Sequence, residues 1–550
     1  MAADSPGSSK SGGEGSVKET IESILVAFIL AFVFRAFVVE AFVIPTGSMG
    51  PTLMGAHMRF VCPDCGYHYE VNFPSKDGDG TDIPATTTLN ADLTCPNCGF
   101  VSSYHNAIRP VYFGDRILVL KYRYLFRNPN RWDVVVFKSP YERNRDPTDP
   151  KYSDNYIKRL IAEPNEAVMV LDGDVYIGVA GEIDPLKLKI QRKPDYVQNA
   201  SWRVVYDNDY LPQGKPRLRT WRQPWVIDGG SGWTGPRAAG DDAGTTGGDR
   251  IFRFANSTAA AAALTFDSEA NTEAHPLTDW LAYNQSQPIN LFPVSDLKLN
   301  CVYTRTSGSG PLRLQLTKRD DCFTAEITPN HVALIRTKVV RNNPLRVATQ
   351  NEWKLEETVP ELNGNAPTRV ELENVDYRVT VRINGRAVLS TTEEQYAPDL
   401  KSLTAEFRQH SNYPSPDLVK PTVRIEASNQ ACTIEHLSLW RDIYYLNNGS
   451  RLDPTAREHA GPFWASPDNI MQLGPDEYFV MGDNSQVSLD ARWWGAPVNL
   501  PAEGINVEAG RVPRGFMLGK AFFVYWPAGY RPLNLQFGII PDFGDMRFIH

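Results

Sequence analysis

A chain of 550 residues with 42% hydrophobic residues and a net charge of −8 is long enough to form several domains, each with its own core. The mildly acidic balance argues against nucleic acid as a partner, and 41 prolines with 40 glycines favour a body of strands and turns over a helical one. The seven cysteines divide into two CxxC pairs (Cys62/Cys65 and Cys95/Cys98) and three scattered residues (Cys301, Cys322 and Cys432), a pattern that fixes no redox compartment.

Residues 1–17 are Gly, Ser and charge, with nothing to nucleate a core, and are expected to form a disordered tail. An apolar run follows over 18–44, continuous from Ile24 to Phe34, broken by Arg35 and resumed to Ile44. Spanning a bilayer takes about 20 such residues, a length reached when Arg35 snorkels to an interface. Lys10 and Lys18 ahead of the run place the N-terminus in the cytoplasm and the remainder outside. A cleaved signal peptide is the competing reading. No small-x-small site precedes Pro45, which favours a retained transmembrane anchor.

Pro45 ends that run, and Gly47 turns the chain sharply just before Ser48. A serine in such a turn is either a nucleophile or an ordinary turn residue. Two CPxCG knuckles follow, separated by residues 66–94; each aims two sulfurs at one point, and together they offer a closed S4 site with zinc-ribbon spacing. Two disulfides or a redox CxxC are the alternatives. Four closed ligands leave no open position for water, so zinc held there is structural.

Arg116–Lys121, Arg131–Phe137 and Asn155–Ile161 read as strands. Alternation puts Tyr156, Lys158 and Leu160 on one face of the third, and a lysine on an apolar face is either an edge-strand gatekeeper or a functional amine. From about 190 to 465, after a Trp-, Gly- and Pro-rich linker over 221–248, short alternating runs predict a β-sandwich, weakly similar to concanavalin-like or laminin-G-like modules. Among them, Arg378–Ile383 and Arg386–Leu389 flank Asn384-Gly385, the signal of a hairpin closed by a type I′ turn. The strand Glu477–Met481 then feeds a loop carrying Ser488, Asp490 and Arg492, spaced for an internal Asp–Arg pair.

Thr46-Gly47-Ser48-Met49-Gly50-Pro51-Thr52-Leu53, Gly114-Asp115-Arg116-Ile117-Leu118-Val119, Tyr156-Ile157-Lys158-Arg159 and Gly482-Asp483-Asn484-Ser485 through Asp490-Ala491-Arg492 occur in that order behind the apolar run. Together they resemble the successive boxes of bacterial type I signal peptidases, the membrane-anchored leader peptidases. The resemblance implies Ser48 as nucleophile, Lys158 as general base, and the Ser48 N–H with the Thr46 hydroxyl as oxyanion hole. It further implies that Ser488 orients the lysine, that Asp490 and Arg492 hold the loop, and that Met49 packs near the site. Ser485-Gln486 departs from the family's usual Arg-Asp, and Glu163-Pro164-Asn165-Glu166 from its Gly-x-Pro-Gly-Asp turn.

The expected fold is therefore mainly β: a disordered tail (1–17), an anchor (18–44), and a core (45–54, 111–190 and 466–550) interrupted by a zinc ribbon (55–110) and a β-sandwich with linkers (191–465). A Ser–Lys dyad needs a neutral amine. With lysine starting near ~10.4, work at neutrality means lowering it by about three units, or about 4 kcal/mol, which burial can supply. Catalysis of this kind needs no cofactor. The resemblance implies a serine endopeptidase at the outer face of the cytoplasmic membrane. Its partners are signal peptides of exported preproteins, membrane lipid and the secretion machinery, with no nucleic acid, and cleavage follows small-x-small sequences. The alternative is an inactive membrane-anchored scaffold that acts through its ribbon and sandwich.

Overall fold

The computed structural model describes residues 14–74, 83–140, 155–212, 221–228, 232–236, 250–285, 291–340, 343–360, 362, 365–409, 420–447, 464–495, 498–500, 505–527 and 541–550. Most of the expected tail, residues 1–13, lies outside that set, as does much of the 221–248 linker. The protein is mainly β, as the sequence predicts.

The first element is the helix α1, Glu14–Phe37. The large apolar side chains described on it are exposed, among them Ile21, Leu25, Phe28 and Phe32. Among the described residues no helix is long and apolar enough to cross a membrane. Of the run 18–44 expected as an anchor, the helix covers the part up to Phe37. The helix stops two residues after Arg35, and the next segment leaves it to become a strand.

That strand, β1 (Val39–Val43), runs antiparallel to β2 (Arg116–Leu120). The remaining strands of the same sheet are β3 (Val134–Lys138), β4 (Asn155–Ala162), β5 (Glu477–Met481), β6 (Val512–Pro513), β7 (Met517–Trp526) and β8 (Arg547–Phe548). Their order is β1-β2-β7-β3-β4-β5-β6, with β8 alongside β7, and every pairing is antiparallel. Strands far apart in sequence thus become neighbours, which brings the loop after β5 up to β4. One face of the sheet buries Met49, Ile117, Val119, Val134 and Val136; the other buries Val135, Phe137, Leu160 and Tyr478. Burying each such side chain stabilises the fold by about 1.5–3 kcal/mol.

A second, four-stranded sheet (189–190, 174–179, 166–171, 471–472) lies between this core and the sandwich. Alternation divides its side chains between the two: Val168 and Val170 pack toward the first sheet, whereas Met169 and Leu171 join the sandwich core. The sandwich pairs an eight-stranded with a seven-stranded sheet around one apolar cluster. In its 378–390 hairpin, Asn384 and Gly385 both have positive φ, as the predicted turn requires. Two further hairpins, 57–72 and 86–110, carry the cysteine knuckles.

Candidate active site and four-cysteine centre

Ser48 sits at the centre of a single 3-10 turn, Gly47–Met49, closed by Gly50 N–H donating to the Gly47 carbonyl at 2.9 Å. Two side chains anchor the turn from beneath, Met49 and Leu53, both fully buried in the sheet core. Ser48 itself is half-buried and Thr46 exposed. The Thr46 hydroxyl makes no capping bond to the turn.

Lys158 comes to Ser48 from β4, where it stands opposite Val135 of β3. The strand lies inside the sheet, flanked by β3 and β5, which excludes an edge-strand gatekeeper role for the lysine. Lys158 is 4% exposed, and its Nζ donates to Ser48 Oγ at 2.5 Å. An amine and a hydroxyl separated by 110 residues of chain are thus in direct hydrogen-bond contact, the geometry a base needs to take the serine proton.

The loop after β5 closes the third side. Gly482 lies so close that a Cβ there would meet the Ser48 carbonyl oxygen at 2.4 Å, so only glycine fits. Asn484 then holds the serine turn twice, its N–H donating to the Ser48 carbonyl at 3.1 Å and its Nδ2 to the Gly47 carbonyl at 2.9 Å. The predicted Asp490–Arg492 pair is fully buried and two-pronged, with Nε to Oδ1 at 2.8 Å and Nη2 to Oδ2 at 2.7 Å. Burial alone would raise the Asp490 carboxyl, but the Arg492 guanidinium outweighs it and holds the carboxyl below the usual carboxylate range. Asp490 Oδ2 also accepts the Gly482 N–H at 2.9 Å, which ties the pair to the glycine that touches Ser48. Ser488 is buried against Gly482, beside the Asp490 carboxylate.

One arrangement escaped the sequence reading. Arg159, beside the lysine, is fully buried and grips Asp483 with Nε at 2.7 Å and Nη2 at 2.6 Å. Burial alone would raise the Asp483 carboxyl as well, and Arg159 instead brings it below its ordinary value. Adjacent basic residues on an apolar strand, with an Asp next to the loop glycine, were the available signal.

The four cysteines of the knuckles are buried and converge. Cys62 Sγ lies 3.6 Å from Cys98 Sγ, and Cys65 Sγ lies 3.7 Å from Cys95 Sγ. These separations are far beyond a disulfide bond and close to the ~3.8 Å that tetrahedral Zn–S bonds of about 2.3 Å impose. Gly66 and Gly99, both at positive φ, close equivalent turns with their N–H groups donating to the Cys62 and Cys95 carbonyls. Sulfur ligands alone, in tetrahedral spacing, fit zinc.

A half-buried serine on a tight turn, in hydrogen-bond contact with a buried strand lysine and flanked by a Gly-Asp-Asn loop, fits a serine-peptidase type of site. The chain belongs to the signal peptidase, peptidase S26 family, whose model matches residues 17–76, 100–215 and 363–526. The segments that carry Ser48, Lys158 and the 482–492 loop all lie within the match, while 77–99 and 216–362 fall outside it. Signal peptidase I of Rickettsia bellii (strain OSU 85-389) is 23% identical over 194 residues, covering 35% of this chain and 49% of that protein. Signal peptidase I of Leptolyngbya laminosa is 38% identical over 101 residues, covering 17% of this chain and 47% of that protein. The chain spans about half the length of these curated relatives. A carbohydrate-binding module from Bacillus subtilis, CBM66, is 11% identical with a TM-score of 0.22, covering 39% of this chain and 94% of that one.

Proposed function

We propose that this protein is a type I signal peptidase that removes N-terminal signal peptides from exported preproteins through a Ser48–Lys158 dyad. The observation that carries the reading is the Lys158 Nζ–Ser48 Oγ contact of 2.5 Å at a buried lysine. Neutral Lys158 takes the Ser48 proton as Oγ attacks the scissile carbonyl. The Ser48 N–H and the Thr46 hydroxyl receive the oxyanion, a donor of this kind being worth about 3 kcal/mol. The protonated lysine passes its proton to the leaving amine, and water, deprotonated by the lysine, then hydrolyses the acyl-enzyme. Asp490 and Arg492 hold the loop in place, Met49 seats the serine turn, and Ser488 orients the lysine.

Substrate is an extended segment with small residues at −1 and −3, added alongside the strands near Lys158. The anchor read over 18–44, where α1 exposes Ile21, Leu25, Phe28 and Phe32, brings the site to the outer face of the cytoplasmic membrane, where lipid and the secretion machinery are its neighbours. The four cysteines hold a structural zinc that takes no part in the reaction, and catalysis uses no cofactor. The test is cleavage of a preprotein in detergent with the product N-terminus read by mass spectrometry. Wild type is expected to cut once after a small-x-small site and Ser48→Ala not at all. A folded wild type that cuts no precursor, while its ribbon and sandwich still capture a partner, would favour the scaffold reading instead.

A further inference from the structure

The matched family segments leave 216–362 aside, yet part of that stretch reaches under the serine turn. Tyr283 and Asn284 belong to a short 3-10 turn, Ala282–Asn284, and both are buried. The Tyr283 ring lies so tightly on the serine turn that a Cβ on Gly50 would meet it at 2.4 Å and one on Gly47 at 2.8 Å. Its hydroxyl accepts the Gly55 N–H at 3.1 Å. Gly55 in turn packs on the Thr46 backbone, where a Cβ would fall 2.3 Å from the carbonyl carbon.

Asn284 works on the other side. Its Nδ2 donates to Asn484 Oδ1 at 2.7 Å, and Asn484 Nδ2 donates back to Asn284 Oδ1 at 2.9 Å. Asn484 is the residue that holds the Gly47 and Ser48 carbonyls. A further bond locks the partner loop, Gln486 Nε2 to Asp279 Oδ2 at 2.7 Å. Gln486 is half of the Ser485-Gln486 departure from the family pattern, and it is spent on this contact.

We propose that Tyr283 and Asn284 are positioning residues for the Ser48 nucleophile, Tyr283 acting through Gly55 and Asn284 through Asn484. The proposal rests on the Ser–Lys reading. It makes the sandwich segment part of the peptidase, and the serine turn competent only when that segment is docked.

The experiment compares the full chain in detergent with Tyr283→Phe, Asn284→Ala and, as control, Arg386→Ala, whose side chain is exposed on a hairpin turn of the sandwich. The substrate is a fluorogenic peptide with alanine at −1 and −3. Tyr283→Phe keeps the ring and loses one hydrogen bond, so kcat is expected to fall about fivefold. Asn284→Ala breaks the reciprocal amide pair, and kcat is expected to fall about 10- to 100-fold. In both, KM stays within about twofold of wild type, since the serine is misplaced and not the peptide. Arg386→Ala keeps wild-type kcat. Unchanged kcat in folded Tyr283→Phe, or loss confined to KM, overturns this inference and leaves the dyad standing. A wild type that cuts no peptide overturns the dyad and this inference together.

Discussion

Arg159 and Arg492 are among the largest fully buried side chains in the protein, and each is gripped by a carboxylate through two hydrogen bonds. A buried charge is tolerable when paired and costly when its partner is removed, by about 3–5 kcal/mol. Asp483→Asn leaves Arg159 buried against a neutral amide, and urea unfolding is expected to show a loss of that size. An exposed pair such as Arg408–Asp468 should give a loss of under about 1 kcal/mol when broken, and this contrast is the check. Both buried pairs bracket the Lys158–Ser48 contact: Arg159 is next to Lys158 in β4, and Asp490 bonds to the glycine that touches Ser48. They fix two pieces of backbone between which the lysine amine and the serine hydroxyl meet. The Asp490–Arg492 pair was legible from spacing. The Arg159–Asp483 pair was not, because it joins β4 to a loop more than three hundred residues away.

At the scale of elements, the serine turn is held by hairpins as much as by the sheet. His57, at the start of the first ribbon hairpin, is fully buried and stacks on Tyr112, with Nδ1 on the Gly55 carbonyl at 2.7 Å. Burial depresses its pKa from 6.5 to about 4. A histidine depressed on folding binds its proton more readily when unfolded. Its stabilising contribution is therefore fully present above about pH 6.5 and is lost as pH falls toward 4, by about 3 kcal/mol in all. His57→Phe keeps an aromatic ring there and removes the proton site, so its stability should vary less between pH 7 and 4 than that of wild type in matched urea titrations. The cysteine knuckles belong to the same ribbon, and a structural metal held there would contribute folding energy directly. A strong chelator is expected to lower the melting temperature and release one zinc per chain, while Cys98→Ser should abolish the bound zinc. The departure at Glu163–Glu166 is also explained at this scale. Asn165 takes positive φ where the family places glycine, Glu163 accepts the Arg131 N–H at 2.6 Å, and Glu166 pairs with the Arg131 guanidinium at 2.6 Å.

Across the whole molecule, the ribbon, the sandwich and the sheet of β1–β8 are interlocked. Asn97 of the second knuckle bonds to the Asp207 and Tyr210 backbone, Arg203 reaches Thr52 Oγ1 at 2.6 Å, and the four-stranded sheet shares its two faces between neighbouring cores. Motifs made of contiguous residues were readable in the sequence: the serine turn, the CPxCG knuckles, the Asn-Gly hairpin and the Asp490–Arg492 spacing. What could not be read were contacts that depend on how distant segments return. The hydrogen bond from Gly55 to Tyr283 spans 228 residues and that from Asn284 to Asn484 spans 200, and no local periodicity encodes either. The end of α1 was missed for a related reason, since Val39–Val43 reads as apolar helix until its partner strand, seventy-odd residues on, is known. Removing the sandwich segment is therefore expected to abolish peptidase activity and not merely to alter substrate choice.

The most direct test of the dyad is a double-mutant comparison of preprotein cleavage by wild type, Ser48→Ala, Lys158→Ala and the double variant, each checked for fold by near-UV circular dichroism. Residues that act as one unit lose their effect together, so the double variant should be no slower than either single one, with all three near the uncatalysed rate. Substantial cleavage by Lys158→Ala, or losses that multiply in the double variant, would contradict the account.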